Sequence, residues 1–243
     1  MHSHTHLYPR ALALALAALA TFSAVSEEKP AIQQAREAEL FRAHTPEEFR
    51  KLDAVRQGID VQNFREELLS AAIFHEINAR RLEQRLPALA LQPQARTASL
   101  GHARLMAAGK FLSHGTPNQP QNTTPYDRLV QQGLQPGYSA ENIALNFVLR
   151  IEPGKPFHTR KENGRTVYSY EANGEPILPH TYLSLAEAFV AQWMKSPLHR
   201  KNLLAIEPEF TGVGCALSKD EKGFDTVYAN QGFFAPPDDA TKQ

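Results

Sequence analysis

The chain has 243 residues, with 26 basic and 26 acidic side chains and so a formal net charge of zero. That balance excludes the basic footprint of a nucleic-acid binder, and no block of like charges marks an acidic or basic tail. A single cysteine, Cys215, excludes an internal disulfide, so the fold has to rest on its hydrophobic core.

Arg10 precedes an Ala/Leu-rich apolar run over 11–20, extended by Phe22 and Val25. The run has the length of a signal-peptide core and is too short for a comfortable membrane span. Ala24-Val25-Ser26 puts small residues at −3 and −1 of a cleavage site before Glu27, so residues 1–26 are read as a signal peptide. An uncleaved N-terminal anchor is the alternative. Cleavage removes Arg10 and no acid, leaving 25 basic and 26 acidic residues and a net charge of −1. The mature chain is expected to be secreted or periplasmic, with no transmembrane segment.

Residues 27–64 are polar, with helices expected over 31–41 and 46–57, and are read as an extension that packs loosely or links. From residue 66, Leu69, Ile73 and Ile77 recur every four positions, which predicts an amphipathic helix to about residue 86, ended by Pro87. A second helix is expected over 94–108, with Leu100, Ala103 and Ala107 inward and Gly109 as its stop. Thr124-Pro125-Tyr126-Asp127 reads as an N-cap, a first-turn proline and a first-turn acid, opening a short helix that ends at Gly133.

Residues 147–182 carry Pro153, Pro156, Pro176, Pro179 and the pairs Asn163-Gly164 and Asn173-Gly174 around the β-prone stretch 165–170. Asn-Gly is the strongest short hairpin signal, so a hairpin-bearing surface insertion is expected. Residues 184–195 return to helix, with Leu185, Phe189, Val190 and Trp193 on one face. Strands are expected over 211–217 and 225–233, and residues 237–243 read as a disordered tail. Helices first, strands last and one helix between them make an α+β architecture of packed layers.

Four segments set polar residues beside apolar ones: Phe111-Leu112-Ser113-His114, Ala140-Glu141-Asn142-Ile143-Ala144, a stretch from Ser196 to Asn202, and Gly212-Val213-Gly214-Cys215-Ala216. His114, Glu141 and His199 are thereby placed in separate loops that can converge on one cleft. Neutral imidazoles suit zinc, and a carboxylate can ligate or act as a base. Each has a plainer reading: the histidines as capping or core groups, and Glu141 as an acceptor that fixes its loop. His75-Glu76-Ile77-Asn78-Ala79 begins like a zincin motif but has alanine where the second histidine belongs. His75 and His102 are read as helix-face residues, Cys215 as a small core residue. No G-x-S-x-G elbow supports a serine nucleophile.

The ordered motifs resemble the bacterial branch of the CAP superfamily, which groups cysteine-rich secretory proteins, antigen 5 and plant pathogenesis-related proteins. Asn78 with Arg81 resembles its N-x-x-R, and residues 87–91 its connection into the second helix. Phe111 to His114 resembles its F-S-H ending, Glu141-Asn142-Ile143-Ala144 its G-E-N-I-A box, and residues 193–204 its W-M-x-S-P-G-H-R-x-N-I-L. Gly212-Val213-Gly214 and Gln231-Gly232-Phe233 resemble its closing strands. The likeness implies a three-layer α-β-α sandwich over residues 65–236, interrupted by the insertion at 147–182. It also implies a cleft with two His and two acids, on which His114, Glu141 and His199 fall. The second acid of that set is Ser196 here, and Glu187 is the candidate substitute. Ala140 and Leu198 replace two of the family's glycines.

The resemblance implies a non-enzymatic binding module using this cleft, with His114 and His199 as the ligands of a divalent ion such as zinc. A lipid, another small molecule, a cell-envelope component or a protein partner is the expected ligand. A metal-dependent, protease-like hydrolase with Glu141 activating water is the alternative, and a vestigial cleft in an interaction protein is a third reading.

Overall fold

The computed structural model describes residues 39–118 and 124–238. The expected signal peptide, most of the helix expected over 31–41 and the end of the expected tail lie outside them. By compactness the chain divides at residue 43, and the unit His44–Gln243 holds every element discussed here. No helix among the described residues is long and apolar enough to cross a membrane.

In chain order the elements are α1 (Pro46–Phe49), α2 (Asp53–Arg56), a 3-10 turn (Val61–Asn63), α3 (Glu66–Glu83), β1 (Ala90–Leu91), α4 (Pro93–Gly109), α5 (Pro125–Gln131) and β2 (Tyr138–Phe147). There follow β3 (His158–Glu162), β4 (Arg165–Ser169), α6 (Tyr182–Lys195), α7 (Pro197–Leu203), β5 (Phe210–Lys219) and β6 (Asp225–Ala235). The main sheet has the order β1-β5-β6-β2, with β1 parallel to β5 and the other pairs antiparallel. Alternate residues of β5 face opposite ways. Gly212 and Gly214 lie against the backbone of α4. Cys215, on the other face, meets Ser70 of α3, and burial pushes its thiol up to about 12, so it stays an inert core residue. On that second face α6 reaches β2 through Trp193, whose Nε1 donates to the Ile143 carbonyl at 3.2 Å. Helices therefore cover both faces, and the fold is an α-β-α sandwich.

Leu68, Leu69, Ile73 and Ile77 of α3 are fully buried, as their spacing predicted. The motif residues on this helix hold loops. Asn78 Nδ2 donates to the Leu89 carbonyl at 3.0 Å, and Asn78 Oδ1 accepts from the Leu89 N–H at 2.8 Å. Arg81, buried, donates to the carbonyls of Pro87, Leu203 and Ala205 and so ties the connection into α4 to the end of α7.

Three expectations change. Residues 44–64 do not pack loosely: Phe49 and Val55 are fully buried, and the helix expected over 46–57 is split in two at residues 50–52. The stop of α4 is not Gly109 but Lys110, in the left-handed region at φ 52°. Gly109 is needed one residue earlier, because a Cβ there would lie 2.8 Å from the Phe111 ring that folds back over it. Residues 138–147, expected as loop around Glu141, form a ten-residue strand. The insertion carries the hairpin β3-β4, turning at Asn163 (φ 49°) and Gly164 (φ 77°), a two-residue turn with both residues left-handed.

His180 joins the insertion to the body. Its N–H donates to the Val148 carbonyl at 2.7 Å, its carbonyl accepts from Ile59 N–H at 2.8 Å, and its Nδ1 lies 2.9 Å from Ser184 Oγ. Burial, then the Arg150 charge, pushes its imidazole down to about 4. A base with a depressed folded value stays neutral in the fold while the unfolded chain binds the proton. Its contribution is complete above pH ~6.5 and is lost as pH falls towards 4. Since solvent reaches the ring, we expect the loss to total about 1–2 kcal/mol rather than the full linkage value. Urea titrations at pH 7 and pH 4.5 on wild type and His180→Asn check this: the pH-dependent drop should be smaller in the variant by that amount.

Candidate functional site

Two segments from opposite sides of the sheet edge meet at β2. The turn after α4 carries His114, and α7 carries His199. Between them Glu141 sits on β2 facing α4, opposite Gly232 of β6. Its side chain is 3% exposed, whereas that of His114 is 52% exposed. Glu141 Oε1 accepts from His114 Nδ1 at 2.8 Å, and Oε2 accepts from Arg128 Nη2 at 2.5 Å and from Asn230 Nδ2 at 2.6 Å. Burial alone would raise the Glu141 carboxyl. The His114 hydrogen bond, the Arg128 charge and the Asn230 amide together outweigh it and hold the group below the usual carboxylate value. Glu141 is therefore an ionised, fully engaged anchor.

A carboxylate only accepts, so His114 Nδ1 carries a proton and Nε2 points away from Glu141. His199 is half-buried, and its imidazole is pushed below its usual value by burial and then by the neighbouring His114. The frame behind them is polar and rigid. Asn142 Nδ2 donates to the His199 carbonyl at 3.1 Å, and Asn202 Nδ2 donates to the Glu141 carbonyl at 3.2 Å and to Asn142 Oδ1 at 3.1 Å. The two asparagines of the matched motifs thus strap α7 onto β2.

Three residues that support the site lie outside the sequence candidates. Arg128, buried on α5, donates through Nη1 to the His114 carbonyl at 3.0 Å while its Nη2 holds Glu141. Asn230 stands opposite Ile143 on β6 and diagonally from Glu141. His102 is not a surface residue but is buried on α4. Its Nε2 donates to the Ser113 carbonyl at 2.8 Å, leaving Nδ1 to accept from Thr116 Oγ1 at 3.4 Å, and this pins the turn that presents His114. Burial and the Arg128 charge keep the His102 ring below its usual value. Its place on the buried stripe Ala95, Ser99, His102, Met106 was a sequence signal for an inward ring.

Glu187 falls elsewhere. It is 42% exposed on α6 and pairs with Arg50 Nη1 at 3.6 Å. Arg50 in turn pairs with buried Glu76, which also holds Arg80 at 2.8 Å, and His75 beside it is buried in a stack on Phe49 at 4.1 Å. That cluster clamps α1 to α3, and none of its recorded partners is His114, Glu141 or His199. Its burial also corrects the helix-face reading of His75.

Residues 138–233 match the model of the CAP family, described as the cysteine-rich secretory protein family. Over that stretch the chain is similar to the CAP family. No curated protein matches the chain. Among solved structures, an extracellular protein of Bacillus anthracis containing an SCP domain aligns at 23% identity and TM-score 0.46, over 70% of this chain and 41% of that one. An outer surface protein of Borrelia burgdorferi aligns at 15% identity and TM-score 0.43, over 74% and 98%. A cysteine-rich secretory protein of Staphylococcus aureus aligns at 11% identity and TM-score 0.42, over 72% and 40%.

The metal that the CAP family implies can be tested against these donors. Among the described residues no group of three or more His, Cys, Asp or Glu side chains could hold a metal ion. Both oxygens of Glu141 are spent, so its fit is as the carboxylate that orients a ligating histidine, not as a ligand. Two imidazoles, His114 and His199, suit an open, weakly held ion and not a closed structural zinc site.

Proposed function

We propose that the protein is an exported binding module whose ligand contacts His114 and His199 on the CAP domain. The observation that carries this reading is the engagement of Glu141. With one oxygen held by His114, the other by Arg128 and Asn230, and 3% of the side chain exposed, it has no capacity left to take a proton from water. This speaks against the hydrolase reading, which needs that base. The supports for binding are an imidazole Nε2 directed outward and rigidly backed, and exposed Leu112 and Leu198 beside the two histidines. Such a rim suits an amphipathic ligand with a carboxylate, phosphate or hydroxyl head, as found in lipids, cell-envelope components or a protein segment. His114 and His199 are the residues that would hold a divalent ion, zinc being best suited to two imidazoles. A bound ion would supply a Lewis-acidic anchor for that head.

Calorimetric zinc titration of the mature protein tests the reading. With two protein ligands we expect binding no tighter than the micromolar range, weakened at least tenfold in His199→Ala and in His114→Ala. Chelator-sensitive turnover of a peptide or ester substrate, lost in His199→Ala, would instead establish the hydrolase.

A further inference from the structure

The outer side of α7 and the loop after it hold apolar side chains out in water. Leu198 and Ile206 are each 77% exposed, more than any other large hydrophobic residue among those described. We propose that this face is a docking surface for an anionic lipid membrane.

A single exposed leucine is ordinary, but these two side chains stand on a rigid frame. On the inner side of α7, Leu203 is fully buried. Asn142 Nδ2 donates to the His199 carbonyl at 3.1 Å, and Asn202 Nδ2 donates to the Glu141 carbonyl at 3.2 Å, which fastens the helix to β2. Buried Arg81 holds the Leu203 carbonyl at 2.9 Å and the Ala205 carbonyl at 2.7 Å, directly before Ile206. Pro197 fixes the backbone at the first helical position, directly before Leu198. The fold therefore keeps both side chains outside the core.

Cations border both. Leu198 and Lys201 are three residues apart on α7 and so neighbours on its surface. Arg200, Lys201 and Ile206 line one open hollow. Lys195 lies just ahead of the helix, and all three cations are exposed. Among the described residues none of the three is paired with a carboxylate, including the acids nearest in the chain, Glu207 and Glu209. Glu207 stands at the edge of the same hollow. Residues 195–207 thus carry three cations against one acid, a local positive excess in a chain whose formal net charge is zero.

Apolar tips bordered by Lys and Arg make an interfacial anchor. The hydrocarbon enters the acyl boundary while the cations stay among the anionic headgroups. A soluble polyanion would use the cations and gain nothing from Leu198 and Ile206. An apolar groove on another protein would take the two side chains but desolvate unpaired cations beside them. Only an anionic lipid surface uses both, and docking there needs no ligand on the two histidines.

The test is sedimentation of the mature protein with vesicles of mixed phosphatidylglycerol and phosphatidylcholine, against vesicles of phosphatidylcholine alone. At low salt we expect partitioning onto the anionic vesicles to be stronger by about tenfold or more, and to fall as added salt screens the charges. Leu198→Ser and Ile206→Ser should each weaken it by about fivefold or more, since each removes an apolar contact. Arg200→Gln/Lys201→Gln should weaken it by about tenfold or more. All four positions are on the surface, so the thermal midpoints should stay at the wild-type value. Methyl resonances of Leu198 and Ile206 in the wild-type protein should broaden on adding bicelles that carry a nitroxide-labelled lipid, which checks the location without a variant. No binding to anionic vesicles, equal binding to the neutral ones, or broadening confined to other regions would overturn the proposal. So would unchanged affinity in both serine variants, and binding of dextran sulfate as tight as that of vesicles would then assign the face to a polyanion.

Discussion

Replacing Arg128 by methionine should cost about 3–5 kcal/mol of stability, because it leaves the Glu141 carboxylate buried and uncompensated. Methionine keeps much of the volume, so the loss is electrostatic and not a cavity effect. The wild-type pair is sealed, with side chains 4% and 3% exposed. Arg128 also loses its bond to the His114 carbonyl, so the turn bearing that histidine loosens at the same time. The double variant Arg128→Met/Glu141→Gln should be less damaged than the sum of the singles, with a coupling of about 1–3 kcal/mol, since it removes the orphaned charge. Strict additivity in urea unfolding would show that the pair does not act as a unit. The pH dependence adds an independent check. Glu141 is depressed in the fold, so its contribution is present above the ordinary carboxylate range and is lost as pH falls through its folded value. In Arg128→Met, acidification should relieve the buried charge, and the acid-side loss of stability should shrink or reverse.

The same pair shows how far the sequence could be read. Local patterns were legible at several places where a short-range rule applied: the stripe of α3, the cap at Thr124 with its reciprocal bonds to Asp127, and the Asn163-Gly164 turn. The motif order placed His114, Glu141 and His199 close together; the structure bonds His114 to Glu141 and holds the His199 carbonyl on Asn142, the next residue of β2. What the sequence did not show was which side chains hold Glu141. It depends on Arg128, 13 residues before it, and on Asn230, 89 residues after it, and no helical or strand period links these positions. The strand around Glu141 was missed for a related reason. Covered on both faces, it lacks the polar–apolar alternation of a half-exposed strand. The helix α7 was missed as well, although Ser196-Pro197 is an N-cap followed by a first-turn proline. Glu187 was the candidate for the missing second acid, and the sequence could not register that Arg50 lies beside it.

Gly214→Ala should be at least as destabilising, by about 3 kcal/mol or more, although it adds one methyl group. A Cβ at Gly214 would stand 2.3 Å from the Cα and N of Leu100, and one at Gly212 would stand 2.1 Å from Arg96 N. These are backbone atoms of α4 and cannot rotate aside, so the whole helix must lift. That exceeds the usual 1–3 kcal/mol of overpacking a side chain. Gly232→Ala meets only the Ser99 hydroxyl, at 3.0 Å, and should cost about 1 kcal/mol. Gly101→Ala meets nothing within 4 Å on the exposed side of α4 and should stabilise by about 0.5–1 kcal/mol through helix propensity. The order Gly214 over Gly232, with Gly101 of opposite sign, is measurable by thermal unfolding. Equal effects at Gly214 and Gly232 would mean that the helix is not seated on the strand as described. The seat matters for the site because α4 leads into the turn that carries His114, and His102 on that helix fixes the turn through Ser113. A lifted helix takes the imidazole off Glu141. Gly214→Ala should therefore weaken zinc binding together with stability, whereas Gly101→Ala should leave zinc binding unchanged.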